Sequence, residues 1–464
     1  MLRLADVCLK IQDGTHFSPK VQYADAGPGR FKYITSKNIR PWGLDLSDIT
    51  YVSEQTHREI YGRCDPQFGD ILLTKDGVNT GTVAINPLNE EFSLLSSVAI
   101  LRPRRGILDS RFLRYFIESP QGSRNIVGKM SGTAIRRIIL KRIKEATIPV
   151  PSLDEQQRIV ADLEKQFTRL EAGVASLKRL QAALKRYRAS VLKAACKGNL
   201  TAEWRAENHP DESAADLLTR IKTEREARYQ QGSREAKTRG MKKPVKAYQI
   251  EFRKDQELPE SWATAKLDNL IYIAGRIGWR GLKADEYTQD GPLFLSVYNL
   301  NYGEAVDYRD AYHVSRERYE ESPEIMLRND DILLAKDGAG IGKVGIIKQL
   351  PKEATINSSL LLIRALEAFV PKYLFYFLAG PELQVLAKQR IAGSATPHLF
   401  QKDIRQFYLS VPSLAEQTRI VAEVERRLSV IEELEGLVKA NLMRATRLRQ
   451  SILQKAFSTE GESW

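Results

Sequence analysis

Residues 148–164 of this chain read IPVPSLDEQQRIVADLE, and residues 409–425 read LSVPSLAEQTRIVAEVE, 261 positions later. The same step carries DILLTKDGVNTGTVAI, from Asp70, onto DILLAKDGAGIGKVGI, from Asp331, and SVLKAAC, from Ser190, onto SILQKAF, from Ser451. It also relates Asn38 to Asn299, and GTA at Gly132 to GSA at Gly393. One offset held over so much of the chain implies duplication of a whole unit, and it limits the architecture before any single residue is considered.

Each unit reads as a globular head followed by one long helix. The heads alternate strand-like runs (FKYITS, DILLT and SSVAILRP, then PLFLSV, DILLA and SSLLLIRA) with helix-like segments (DSRFLRYFIES, then PKYLFYFLAG). That mixture predicts an α+β class, with two related α/β-mixed domains. The boundaries follow composition: a first head over 1–150, a helix over 151–198, a charged and partly helical connector over 199–257, a second head over 258–411, a second helix over 412–458 and a short tail over 459–464. A length of 464 residues accommodates such a multidomain chain.

The repeated segment starts a helix. Ser152 with Glu155, and Ser413 with Glu416, have the S-x-x-E spacing of a capping box, and a proline before each serine keeps the entering chain extended. Beyond each cap runs a heptad pattern. Ile420, Val424, Ile431, Leu434, Val438, Ala445, Leu448 and Ile452 fall on a/d spacing, interrupted by Arg427 and Asn441. Subtracting 261 gives Ile159, Leu163, Leu170, Gly173, Leu177, Leu184, Tyr187 and Val191, interrupted by Gln166 and Leu180. Such a seam predicts a two-helix coiled coil.

Charge sets its direction. Residues 152–171 hold five acids and three bases, and residues 172–198 hold seven bases and no acid; residues 413–436 hold six acids and three bases, and residues 437–457 five bases and no acid. Parallel packing would oppose like charges along the whole length, whereas antiparallel packing sets acid against base. The sequence therefore predicts two heads at opposite ends of an antiparallel rod, each helix of about 45 residues running roughly 65 Å.

Composition bears on partners and compartment. Lysine and arginine exceed aspartate and glutamate by 71 to 58, a net charge of +13 that favours a polyanionic partner, nucleic acid first. Cys8, Cys64 and Cys196 are isolated, which argues against a disulfide framework or a zinc site and suits a reducing cytoplasm. No signal peptide or membrane-length apolar run is present, so a membrane partner is not expected.

Catalytic motifs are weak. DPQF at Asp65 and NPLN at Asn86 fall short of the N/D-P-P-F/Y loop of an adenine methyltransferase. GAGIGKVG from Gly338 would need glycine at Asp337 and serine or threonine at Val344 to be a phosphate loop, so a glycine-rich turn is the better reading. Pro210-Asp211 with EAK at Glu235 imitates a metal-nuclease pattern only formally. His16, His57, His209, His313 and His398 are too scattered to hold a metal. No catalytic and no metal residues are assigned.

Several quoted segments together carry a family resemblance. GDILLTKDG at 69–77, DDILLAKDG at 330–338, the doubled VPS-x-x-EQ-x-RIVA, QDGTH near the start, GNLTAEWR after the first helix and LPESW before the second head resemble the DNA specificity subunit of type I restriction-modification systems. The likeness covers essentially the whole chain, although the first head lacks an LPESW-like preface. It implies that the heads are target recognition domains reading a bipartite, asymmetric double-stranded DNA site. It further implies that the helices form a conserved coiled coil, and that the chain binds no cofactor directly. Two methyltransferase subunits carrying S-adenosylmethionine, and restriction subunits through them, are the implied partners.

Phosphate contacts then fall to basic residues and base reading to polar side chains. The candidates in the first head are His16, Lys37, Asn38, Arg40, Lys75, Asn79, Arg136 and Arg137. In the second they are Arg276, Trp279, Arg280, Tyr298, Asn299, Lys336, Lys343 and His398. For Asp76-Gly77 and Asp337-Gly338 a tight turn that positions the preceding lysine is preferred. The competing readings are a coiled-coil spacer whose heads grip proteins, which salt-insensitive and weak DNA binding would favour, and a nuclease in its own right, which metal-dependent cutting by the isolated chain would reveal.

Overall fold

The computed structural model describes the chain except residues 129–136, 209, 240–241, 243, 277–281, 302, 393–397 and 459–464. Arg136, Trp279, Arg280, the GTA and GSA segments and the tail therefore lie outside the described residues. The chain divides into two compact units, one of Met1–Leu180 with Leu437–Trp464 and the other of Gln181–Gly436. Each long helix, Leu153–Cys196 and Leu414–Phe457, thus contributes one part to each unit.

Both heads are built on the same sheet plan. The first has a four-stranded antiparallel sheet in the order Cys8–Asp13, Val98–Pro103, Ile71–Thr74, Val83–Ile85. The second repeats it with Ile271–Ala274, Leu360–Ala365, Ile332–Ala335 and Val344–Ile346. A smaller mixed sheet accompanies each, its central strand (Arg30–Ile34 or Thr288–Leu295) paired antiparallel on one side and parallel on the other. The ILLT and ILLA strands are buried on every residue, which explains why they read as continuous apolar runs rather than alternating ones.

The aspartate that precedes those strands is the anchor of an internal ion pair. Arg102 donates through Nε and Nη2 to the two carboxylate oxygens of Asp70, each at 2.9 Å, and Arg364 does the same to Asp331 at 2.6 and 2.7 Å. In each head the same guanidinium also reaches a backbone carbonyl, of Asp65 or Met326, and the aspartate accepts from the backbone N–H of Gln67 or Arg328. Burial is the largest influence on Asp331 and pushes its carboxyl up, against the opposing pull of Arg364.

The duplicated EQ pair shows why the helix entry is written twice. Gln156 accepts from the Asp109 N–H at 2.9 Å and donates to the carbonyls of Ile107 and Pro151, both at 2.9 Å. Gln417 accepts from the Val370 N–H at 2.8 Å and donates to the carbonyls of Ala368 (2.9 Å) and Pro412 (3.1 Å). Every partner stands 261 residues from its counterpart, and both glutamine side chains are fully buried. The glutamine pins the start of the helix to backbone groups of its own head, which satisfies buried donors and acceptors that would otherwise be left unpaired.

The full capping boxes expected from S-x-x-E are only half made. Ser152 and Ser413 accept from the backbone N–H of Glu155 and Glu416 at 3.3 Å. The two carboxylates turn elsewhere: Glu155 pairs with Arg158, and Glu416 is buried under the connector. There it accepts from Thr201 Oγ1 (2.8 Å), Trp262 Nε1 (2.8 Å) and Arg205. Arg205 also donates to the Gly198 carbonyl, and Gly198 holds φ +74 with Pro259 so close that a Cβ would sit 2.7 Å from its ring. GNLTAEWR, LPESW and EQ, three segments far apart in sequence, therefore converge on one carboxylate. The connector helix Ala214–Arg239 packs Leu217, Leu218 and Ile221 inward in the same unit, and its Arg225 bonds Glu367.

Within each unit the two long helices run antiparallel. In the first, Arg449 lies over the Phe167 ring at 4.1 Å and 3.7 Å from Glu171, while Phe457 shares a core with Ile159 and Leu163. In the second, Arg188 pairs with Glu432 (3.5 Å) and Glu435 (3.7 Å), while Thr201 and Arg205 reach Glu416.

The seam departs from the expected a/d register in a systematic way. Ile159, Leu163, Leu184, Val191, Ile420, Val424, Ile431 and Val438 are buried, and Leu170, Leu177 and Ile452 are half-buried. Leu434 (37%), Leu448 (49%) and Tyr187 (48%) are exposed, whereas Val160, Phe167, Leu428, Leu453 and Phe457, off the expected spacing, are buried. Toward the helix ends the reason is that they serve a head as well as each other. Phe457 meets Phe112 and Phe116 edge-on at 5.2 and 5.6 Å inside the first head's core, so the buried face turns away from a pure helix–helix seam.

Candidate nucleic-acid interface

The KDG turns are where the sequence candidates come together. In the first head the strand Ile71–Thr74 ends at Lys75, whose N–H donates to the Ser97 carbonyl and whose carbonyl accepts from Ile138. In the second, Lys336 makes the same two bonds with Ser359 and Leu399. Gly77 (φ +94) and Gly338 (φ +73) take the left-handed conformation that the turn requires. Asp76 forms an isolated antiparallel bridge with Arg137, and Asp337 forms one with His398. Arg137 and His398 are also 261 apart, so each head offers a different cationic or polar side chain from the same scaffold point.

In the first head these residues belong to a linked series of charges. Asp13 is buried and receives Lys75 at 3.1 Å, Arg63 at 3.0 Å and His16 at 3.5 Å; Lys75 approaches Asp76 at 3.8 Å, and Asp76 meets Arg137 at 3.2 Å. Lys75 is only 2% exposed, so it is an internal tie that holds the turn. The outward members are His16, Arg63 and Arg137, whose side chains are 43–57% exposed. Arg63, in the last turn of the helix Glu54–Arg63, had no signal in the sequence, because nothing local marks it as the partner of an aspartate fifty residues away.

Burial raises the Asp13 carboxyl, but hydrogen bonds from Arg63 and Lys75 outweigh it and hold the group below its ordinary value of 3.8. A depressed carboxylate contributes stability that is complete above the unfolded value and disappears as pH falls through the folded one. Unfolding followed across pH 2–5 should show this: the wild-type chain loses stability as pH drops below about 3.8, and Asp13→Asn, weaker at neutral pH, follows a shallower acid limb. An identical acid limb in both would contradict the assignment.

In the second head the counterpart differs. His398 Nδ1 contacts Asp337, Lys336 lies 3.8 Å from the same carboxylate, and Lys343 Nζ donates to Asn301 at 2.5 Å. Arg276 is buried, donating to the Ile356 carbonyl at 3.0 Å and to Thr355 Oγ1 at 3.3 Å; an outward phosphate contact is not its role in this conformation.

Beside each KDG turn lies a second repeated turn. Asn38 is buried, accepting from the Thr35 N–H and donating to the Asp45 carbonyl. Asn299 does the same with Ser296 and Asp307. Both asparagines hold backbone, which accounts for their duplication without a base contact. Lys37 pairs with Asp48 at 3.0 Å, Arg40 lies 3.9 Å from Asp45, Asn79 is half-buried in the KDG loop, and Tyr298 is 54% exposed.

Two heads with one topology, each leading into a long helix and presenting a KDG turn backed by a basic or polar side chain, define a duplicated two-headed protein. The family model described as the type I restriction modification DNA specificity domain matches residues 1–180 and 259–436, and the chain belongs to that family. Among curated relatives, the type I restriction enzyme EcoBI specificity subunit of Escherichia coli is 26% identical over 351 residues, 75% of this chain and 65% of that relative, just under two thirds of its length. The EcoKI specificity subunit of Escherichia coli strain K12 is 23% identical over 92% of this chain and 82% of its own.

Solved structures show the same fold. A chain from a study of complex assembly and conformational transition in the type I R-M system superposes with a TM-score of 0.66 at 19% identity, over 99% of this chain and 97% of the other. The HsdS subunit from Thermoanaerobacter tengcongensis gives 0.51 at 18%, over 99% and 96%. Among the described residues, no helix is long and apolar enough to cross a membrane.

Proposed function

We propose that this chain is the sequence-reading subunit of a type I restriction-modification complex, each head taking one part of a bipartite duplex target. The carrying observation is the KDG turn: the same backbone hydrogen bonds occur in both heads, yet the side chain paired with its aspartate is Arg137 in one and His398 in the other. A shared turn with a changed outward group suits two heads that dock on one duplex with different contacts, a phosphate in the case of Arg137. The chain is non-catalytic in this reading. Adenine methylation belongs to two partner methyltransferase subunits carrying S-adenosylmethionine, and cleavage belongs to restriction subunits recruited through them, in the cytoplasm. The relatives, which are specificity subunits of type I restriction enzymes, support this assignment.

The test is binding of duplex DNA by the full chain together with its co-expressed methyltransferase subunits, across a salt series. Selective binding that weakens steeply with salt is expected. Arg137→Ala should lower the log–log salt slope by about 1 and weaken all targets to a similar extent, as loss of one phosphate contact does. Salt-insensitive, unselective binding would contradict the function, and an unchanged slope would contradict the role of Arg137.

A further inference from the structure

The loop Asp76–Gly81 presents an apolar tip. Between residues suited to turns stands Val78, with 101% of its surface exposed. Its setting is fixed. Thr80 donates to the Gly77 carbonyl through N–H (3.2 Å) and Oγ1 (2.6 Å), Thr82 N–H to Asn79 (3.0 Å), and Gly81 N–H to Thr74 (2.8 Å). At the base of the loop Asp76 is held by Arg137, and Lys75 is locked to Asp13.

A single exposed valine is common on protein surfaces and ordinarily carries no meaning. Here it lies two residues beyond Asp76, which meets the outward Arg137 and is linked through the buried Lys75 and Asp13 to the outward Arg63, so the loop that carries the apolar tip has cations at its base. One valine is too small to anchor a protein interface, where aromatic residues and arginine dominate. A duplex satisfies both features, with phosphates on the cations and a base edge at the tip. In the major groove thymine alone presents a methyl group, and apolar side chains contact it. Because the loop is held before binding, little ordering entropy opposes that contact.

Resting on the DNA-reading function above, we propose that Val78 reads the 5-methyl group of a thymine in the half-site of the first head. In the sequence the equivalent position 261 residues later is Ala339, a smaller apolar group.

The test pairs a protein methyl deletion with a DNA methyl deletion. Full chain in complex with its methyltransferase subunits is bound to its target duplex with each thymine replaced in turn by uracil, which removes only the methyl. Wild type should lose about three- to tenfold in affinity at one position of one half-site. Val78→Ala should bind the thymine duplex more weakly by a similar factor and show no further loss with uracil there. Its melting temperature should be unchanged, since the side chain is fully exposed and packs on none of the described residues. Equal uracil sensitivity in wild type and Val78→Ala, or sensitivity at no position, would overturn the role of Val78 while leaving the function intact. Absence of sequence-selective binding altogether would overturn the function itself and Val78 with it.

Discussion

Replacing Glu416 with alanine should destabilise the second unit by about 3–5 kcal/mol, whereas the same change at its repeat counterpart Glu155 should leave the unfolding midpoint where it was. Glu416 is fully buried and accepts from Thr201, Arg205 and Trp262 at once. Removing it strands the Arg205 charge and two neutral donors in a desolvated site, and losing one partner of a buried ion pair costs on this scale. For a unit of this size the loss corresponds to roughly 10 °C in melting temperature. Glu155 pairs with Arg158 at the surface one turn away. Calorimetry of the full-length single variants separates the two cases. Equal shifts would mean that the buried carboxylate is not the hub of the connector.

That contrast marks how far the sequence could be read. The duplication, the α+β heads and the antiparallel direction of the helices were legible because they rest on local text and on charge summed over many residues. The clamp made by Gln156 and Gln417 was visible only as a repeated letter, since its partners are backbone groups that any sequence supplies. Asp70 with Arg102, and Asp331 with Arg364, are separated by about thirty residues, and no periodicity joins them. The seam residue Leu448 departs from its expected burial because heptad spacing sees one partner, whereas the nearby helix end answers to a head's core as well. At the candidate site, Lys75 and Lys336 look interchangeable in sequence. Only the fold brings Asp13 to Lys75, where position 274, 261 residues on, holds alanine.

The largest functional change should come from exchanging residues 1–150 for the first head of a related subunit. Three features make this head separable. Its first strand, Leu2–Arg3, pairs with its last, Thr147–Ile148, so the segment begins and ends side by side. The long helix starts immediately afterwards, at Leu153. The Gln156 clamp grips the head through the backbone of Ile107 and Asp109, so a foreign head with the same loop can accept it whatever its side chains. The helix faces that the new head must receive are Ile159, Leu163, Phe167, Leu453 and Phe457, and a donor with apolar residues at Phe112 and Phe116 preserves that core.

Mapping of methylated adenines across the genome of a strain carrying the exchanged chain measures the outcome directly. One half of the bipartite target should change completely and the other should stay as it was, with each head reading its own half. Changes in both halves, or in neither, would contradict the division of recognition between the two heads.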